Sequence, residues 1–290
     1  MNSSHDLYPL LQRITHALER QAGLLQQPLD WSASAYAWVS RPPREAYLQA
    51  LPPIATLELD DLQGIDRQKA ALVENTRQFL AGLSANNVLL TGARGTGKSS
   101  LIRALLHTYQ HQGLRVVEVD KADLADLWHI TPLLALRPER FILFCDDLSF
   151  AENDHGYRAL KVALDGSLHT PPDNVLIYAT SNRRHLVSER MRDNEDSQHH
   201  DGEVRPSDSI EEKISLSDRF GLLLTFYPQD QDLYLRCAEH WLSRLSGRWD
   251  EDTRQAALRF SLGRGSRSGR TAWQFARAYA GAQRLQAARG

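Results

Sequence analysis

The sequence predicts an α/β fold: a parallel five-stranded core, a small all-α lid at its C-terminal end and a helical extension at its N-terminal end. Three observations lead there. Five short, nearly continuous apolar runs fall between residues 61 and 228, with helical patterns between them. A glycine-rich turn joins the first run to a helix, and after Pro228 the pattern is helical throughout. Strands apolar on both faces belong in a parallel sheet covered on both sides.

Residues 1–60 read as the helical extension. In "LYPLLQRITHALERQA" (7–22), Leu7, Leu10, Leu11, Ile14 and Leu18 recur at helical spacing. "LDWSASAYAWVSRPPREAYLQALPP" shows no regular strand pattern, and its tryptophans are read as packing area against the main domain. Residues 61–228 read as the core. Its strands are "NVLLTG" (87–92), "RVVEVD" (115–120), "RFILFCDD" (140–147), "NVLIYATSN" (174–182) and "LLLTFYP" (222–228). Helices are expected over 98–112 and 124–136. An acidic stretch with few large apolar residues, 189–212, reads as a mobile surface insertion. Residues 229–290 read as the lid, with helices near 230–246, 250–262 and 270–287.

Composition excludes several classes. A formal net charge of −2 argues against a chain held on nucleic acid by global electrostatics. Two cysteines outside any CxxC support neither a disulfide framework nor a zinc site. Without a signal-like start or a long apolar run, a cytoplasmic protein with no membrane partner is expected. The basic end, with eight arginines and no acidic residue over 254–290, leaves nucleic acid open as a partner.

The chemistry begins at Gly92-Ala93-Arg94-Gly95-Thr96-Gly97-Lys98-Ser99, which fits GxxxxGK[ST] and runs into a helix through Ser100. A triphosphate needs many donors converging on a small volume. Glycines let the backbone curl its N–H groups inward, and the helix adds its positive N-terminus. Lys98 would reach the outer phosphates and the Ser99 hydroxyl would take a place on Mg2+. About fifty residues on, a buried strand ends in Asp146 and Asp147. Asp146 is read as the metal carboxylate and Asp147 as the group polarising the attacking water. His107 and His111, four apart, lack a patterned third ligand and are read as surface histidines, and Cys145 as a small buried apolar residue.

This order of motifs resembles the AAA+ P-loop ATPases over residues 60–290. "GIDRQKAALVENTRQFLAG" (64–82) matches the family's adenine-side helix, which implies that Ile65 lines the base. "YATSN" makes Asn182 the sensor-1 residue. "SDRFG" makes Arg219 an arginine finger offered to a neighbouring subunit, and "GRGSRSGRTAWQF" makes Arg270 the sensor-2 arginine, with Arg267 as the alternative. The likeness is strongest to a bacterial AAA+ family known only as ATP-binding proteins of unknown function. It implies ATP and Mg2+ as cofactors, a homo-oligomer, and a hydrolase acting on a protein or nucleoprotein client. AAA+ proteins usually carry glutamate where this chain has Asp147, so slow turnover is expected. A nucleotide-gated binding module with little hydrolysis, or a DNA-loading role, are the alternative readings. Absence of a guanine-reading NKxD favours ATP.

Overall fold

The computed structural model describes residues 13–15, 29–40, 46–53, 55–149, 155–164, 172–182, 199–200, 203–204 and 216–288. Residues 13–15 are helical; the rest of the helix expected over 7–22 lies outside the described residues. So does most of the 189–212 insertion, apart from a two-residue ladder pairing His199 with Val204 and His200 with Glu203.

A seven-stranded sheet organises the core. Its strands are β1 (Ala35–Val39), β2 (Tyr47–Ala50), β3 (Val88–Gly92), β4 (Leu114–Glu118), β5 (Arg140–Cys145), β6 (Val175–Ser181) and β7 (Leu222–Phe226). The order is β2-β1-β4-β5-β6-β3-β7, parallel except where β2 pairs antiparallel with β1. The five strands expected from the apolar runs form one contiguous block, β4-β5-β6-β3-β7.

Two strands correct the expectation of five and of a purely helical N-terminal extension. β1 adds in parallel to β4, with Ala35 opposite Val116, and β2 folds back on it. The reason is burial. Tyr36 and Trp38 alternate onto one sheet face and are 0% and 6% exposed, while Ala35 faces the other side. The Trp38 indole donates to Asp126 Oδ2 at 2.9 Å. The alternating aromatics in "AYAWV" carried this signal.

Alternation along each core strand splits the apolar side chains into two layers. Leu89, Phe141, Leu143, Cys145 and Ile177 pack with α3 (Leu127–Ala135) and α4 (His155–Leu164). Val88, Leu90, Ile142, Phe144 and Tyr178 pack with α1 (Asp66–Leu80) and α2 (Lys98–Tyr109).

The lid is three helices, α5 (Gln231–Arg244), α6 (Glu251–Arg264) and α7 (Gly269–Ala287). Each starts at a side-chain cap: Asp230 accepts from Leu233 N, Asp250 from Thr253 N and Ser268 from Thr271 N. α6 stops at Gly265 in the left-handed region, φ 59°. A separate apolar cluster around Tyr234, Ala238, Ala272 and Phe275 holds the lid together.

Candidate nucleotide site

β3 ends in the loop that starts α2, and its glycines explain the loop's shape. Gly92, Gly95 and Gly97 have φ of 131°, 79° and 104°, a region L side chains avoid. Gly92 has a second constraint, because it pairs with Phe226 across β3 and β7. A Cβ there would stand 2.0 Å from the Phe226 carbonyl oxygen. At Gly95 a Cβ would stand 2.8 Å from Ser268 Oγ. The lid therefore closes directly over the loop.

The loop opens into a cleft of about 810 Å³ between core and lid. Gly95, Thr96, Gly97, Lys98, Ser99, Ser100, Arg94, Ile65, Asp146, Asp147, Asn182 and Arg270 all line it, while Gly92 and Ala93 reach it through their carbonyl contacts with Lys98. Ile65 is 6% exposed, and its Cδ1 would lie 3.7 Å from a Cβ at Gly97. Arg267 lies instead in a neighbouring recess with Ser266 and Leu262. Arg219 stands half-buried on the turn before β7 and is not among the residues lining the cleft.

Polar groups at the loop mouth are cross-linked to one another. Lys98 Nζ donates to the Gly92 and Ala93 carbonyls at 2.6 and 2.9 Å and to Asn182 Oδ1 at 3.0 Å. Burial pushes the Lys98 ammonium below the usual lysine range; Asp146 and Asp147 pull it back up, and Arg270 and Arg94 lower it further. Asn182 Nδ2 donates to Asp147 Oδ1. Ser99 Oγ and Thr180 Oγ1 both donate to Asp146 Oδ1, at 2.7 and 2.5 Å. Asp147 takes φ 53°, a conformation aspartate tolerates better than most residues, and its N–H donates to Thr180 Oγ1 at 2.9 Å.

Ser99 and Asp146 present hard oxygen donors at one spot beside the loop. That donor set fits Mg2+, which is held by one or two protein oxygens plus substrate phosphates. Among the described residues no group of three or more His, Cys, Asp or Glu side chains is placed to hold a metal by itself. Cys145 is fully buried, which pushes its thiol up to about 12, so it is packing and not chemistry.

Several cleft residues escaped the motif reading. Thr180, at the end of β6, donates to the Asp146 carboxylate and accepts from the Asp147 backbone N–H; its place inside "YATSN" was the available signal. Trp241 on α5 and Trp273 on α7 meet edge to face at 4.7 Å and line the cleft together. Asp61, 2% exposed, also lines it and accepts from Arg244 Nη1 at 2.6 Å, with His240 Nε2 at 2.9 Å. Arg183, Arg184 and His185, which follow Asn182 in the sequence, lie outside the described residues.

A strand-loop-helix grip at the carboxyl end of a parallel sheet, with a helical lid over it, is the arrangement of the AAA+ P-loop fold. A family model described as "Protein of unknown function (DUF815)" matches residues 32–283, and the chain belongs to that family. Solved structures agree on the fold. One variant of RuvB from Thermotoga maritima aligns at TM-score 0.51 and 16% identity, covering 77% of this chain and 65% of that one. A second aligns at TM-score 0.50 and 16% identity, covering 76% and 63%. The chain thus spans less than two thirds of the length of these structures. No curated protein matches the sequence. No helix among the described residues is long and apolar enough to cross a membrane.

Proposed function

We propose that this chain binds Mg·ATP in the cleft and hydrolyses it slowly, as a homo-oligomer whose sites are completed across subunits. The observation that carries this reading is the meeting of Lys98, Asn182, Asp146 and Asp147 at the mouth of the loop, joined through hydrogen bonds, Asp146 by way of Thr180. In the reading, loop amides and Lys98 hold the outer phosphates, and Ile65 with Trp241 and Trp273 encloses the base. Ser99 and Asp146 would hold Mg2+, which would supply neutralising charge to the phosphates. Asp147 accepts a proton from the attacking water while Asn182 orients it, and Arg270 steadies the terminal phosphate from the lid. Arg219, outside its own cleft, is offered to a neighbour's terminal phosphate. The client is a protein or nucleoprotein, moved by lid rotation as the nucleotide changes. A cytoplasmic site of action belongs to the same proposal.

A second reading, a nucleotide-gated binding module, is favoured by one observation: Asp147, a methylene shorter than glutamate, already has both carboxylate oxygens engaged by Asn182 and Arg94. Calorimetry with Mg·ATP tests binding. Phosphate release measured against protein concentration tests the rest. No heat with Mg·ATP rejects the site; binding with no release at any concentration leaves the module reading. A DNA-loading role would add steeply salt-dependent DNA binding. Four arginines of the basic end are engaged within the lid: Arg254 with Glu251, Arg264 over Phe260, Arg277 over Trp273 and Arg284 with the Leu245 carbonyl.

A further inference from the structure

Arg94 is the third residue of the phosphate loop, and its side chain turns toward the carboxylate pair. Its Nη2 lies 3.3 Å from Asp147 Oδ2. Asn182 holds the other oxygen of the same carboxylate, so Asp147 is gripped from the β6 end and from the loop together. The two grips differ. Asn182 is tied in turn to Lys98, whereas the Arg94 and Asp147 side chains are 74% and 50% exposed. An ion pair this open to water is weak and easily exchanged.

Charge around the loop supports an exchange. Lys98, Arg94 and Arg270 converge there, close enough for both arginines to bear on the Lys98 ammonium, against two carboxylates. A nucleotide phosphate entering the loop supplies the missing negative charge. With the cleft read as a nucleotide site, the phosphates of ADP would lie against the loop amides and Lys98, and only a third phosphate would extend toward Asp147 and Arg94.

We propose that Arg94 is the residue by which this chain tells ATP from ADP: it pairs with Asp147 and transfers to the terminal phosphate when a triphosphate enters. The carboxylate is then uncapped on the Oδ2 side only when there is a terminal phosphate to attack. The inference rests on the reading of the cleft as a nucleotide site. It places a cation at the terminal phosphate within one subunit, separate from Arg219.

The test is calorimetry of the full chain with Mg2+ and either ADP or the non-hydrolysable imido analogue of ATP, for the wild type, Arg94→Ala and Arg94→Lys. Thermal melts of each variant accompany the titrations. The expected result is that Arg94→Ala leaves ADP affinity within about twofold and cuts the preference for the triphosphate analogue about tenfold, the size of one charge-assisted hydrogen bond. Arg94→Lys should recover part of that preference. A wild-type chain that takes up neither nucleotide overturns the site itself, and the role of Arg94 with it. Wild-type binding with an unchanged preference in Arg94→Ala overturns the inference while the site stands. Equal loss of both nucleotides in Arg94→Ala, unrelieved in Arg94→Lys, makes Arg94 a part of the loop's architecture and overturns it as well.

Discussion

Ser99 Oγ donates to Asp146 Oδ1 at 2.7 Å, joining the first turn of α2 to the end of β5 across 47 positions of sequence. Neither residue would hold a metal alone. The parallel order β5-β6-β3 brings both to the same carboxyl edge of the sheet, where ligands of such sheets bind.

Lys98→Met should separate binding from folding. The ammonium loses solvation in the fold and its partners within the loop are two carbonyls, so its removal should leave the melting temperature equal or higher. Mg·ATP affinity should fall by roughly 10- to 100-fold, the worth of a charge-assisted contact to phosphate. A paired melt and titration checks both halves.

Asp147→Asn keeps one oxygen, enough for Asn182 or Arg94 but not both, and removes the proposed base. ATP binding should persist while phosphate release falls by about 100-fold or more, in the range for loss of a general base. If release is unaffected, Asp147 does not activate the water.

Arg219→Ala is expected to spare nucleotide affinity, because the residue does not line its own cleft. Concentration-dependent phosphate release should drop by about a thousandfold, the lower end of what an arginine finger contributes. Loss of affinity and turnover in parallel would contradict a role in trans.

Asp61→Asn tests the bond between core and lid. The carboxylate is buried and takes both Arg244 and His240 of α5. Its neutralisation should cost about 2–3 kcal/mol in a urea titration, as expected for hydrogen bonds to a charged group. Hydrogen exchange should quicken in α5 more than in the sheet strands. Uniform quickening would mean that Asp61 supports the whole fold and not the lid in particular.

Gly92→Ala should be among the most damaging single substitutions outside the apolar core. It adds left-handed strain and drives a Cβ to 2.0 Å from the Phe226 carbonyl, a main-chain atom fixed by the β3–β7 pairing. A loss of about 2–5 kcal/mol is expected from strain and overpacking combined, readable by denaturant titration.

By itself the sequence determined the phosphate loop, the acidic strand end, the five core strands and the three lid helices. Each is written locally: glycines where the backbone must curl, a lysine at fixed spacing, apolar runs of strand length and a helical pattern after Pro228. Only the tertiary structure decided that β1 and β2 extend the sheet, because four- and five-residue segments become strands when a buried edge such as β4 offers its hydrogen bonds. It also decided that Asp61 ties the core to α5 across 183 positions, that Thr180 links the Asp146 carboxylate to the Asp147 backbone and that Arg94 faces Asp147. Those contacts join residues with no shared period or motif, and the physical reason is that charges and donors find their partners by packing geometry, which spacing along the chain does not encode.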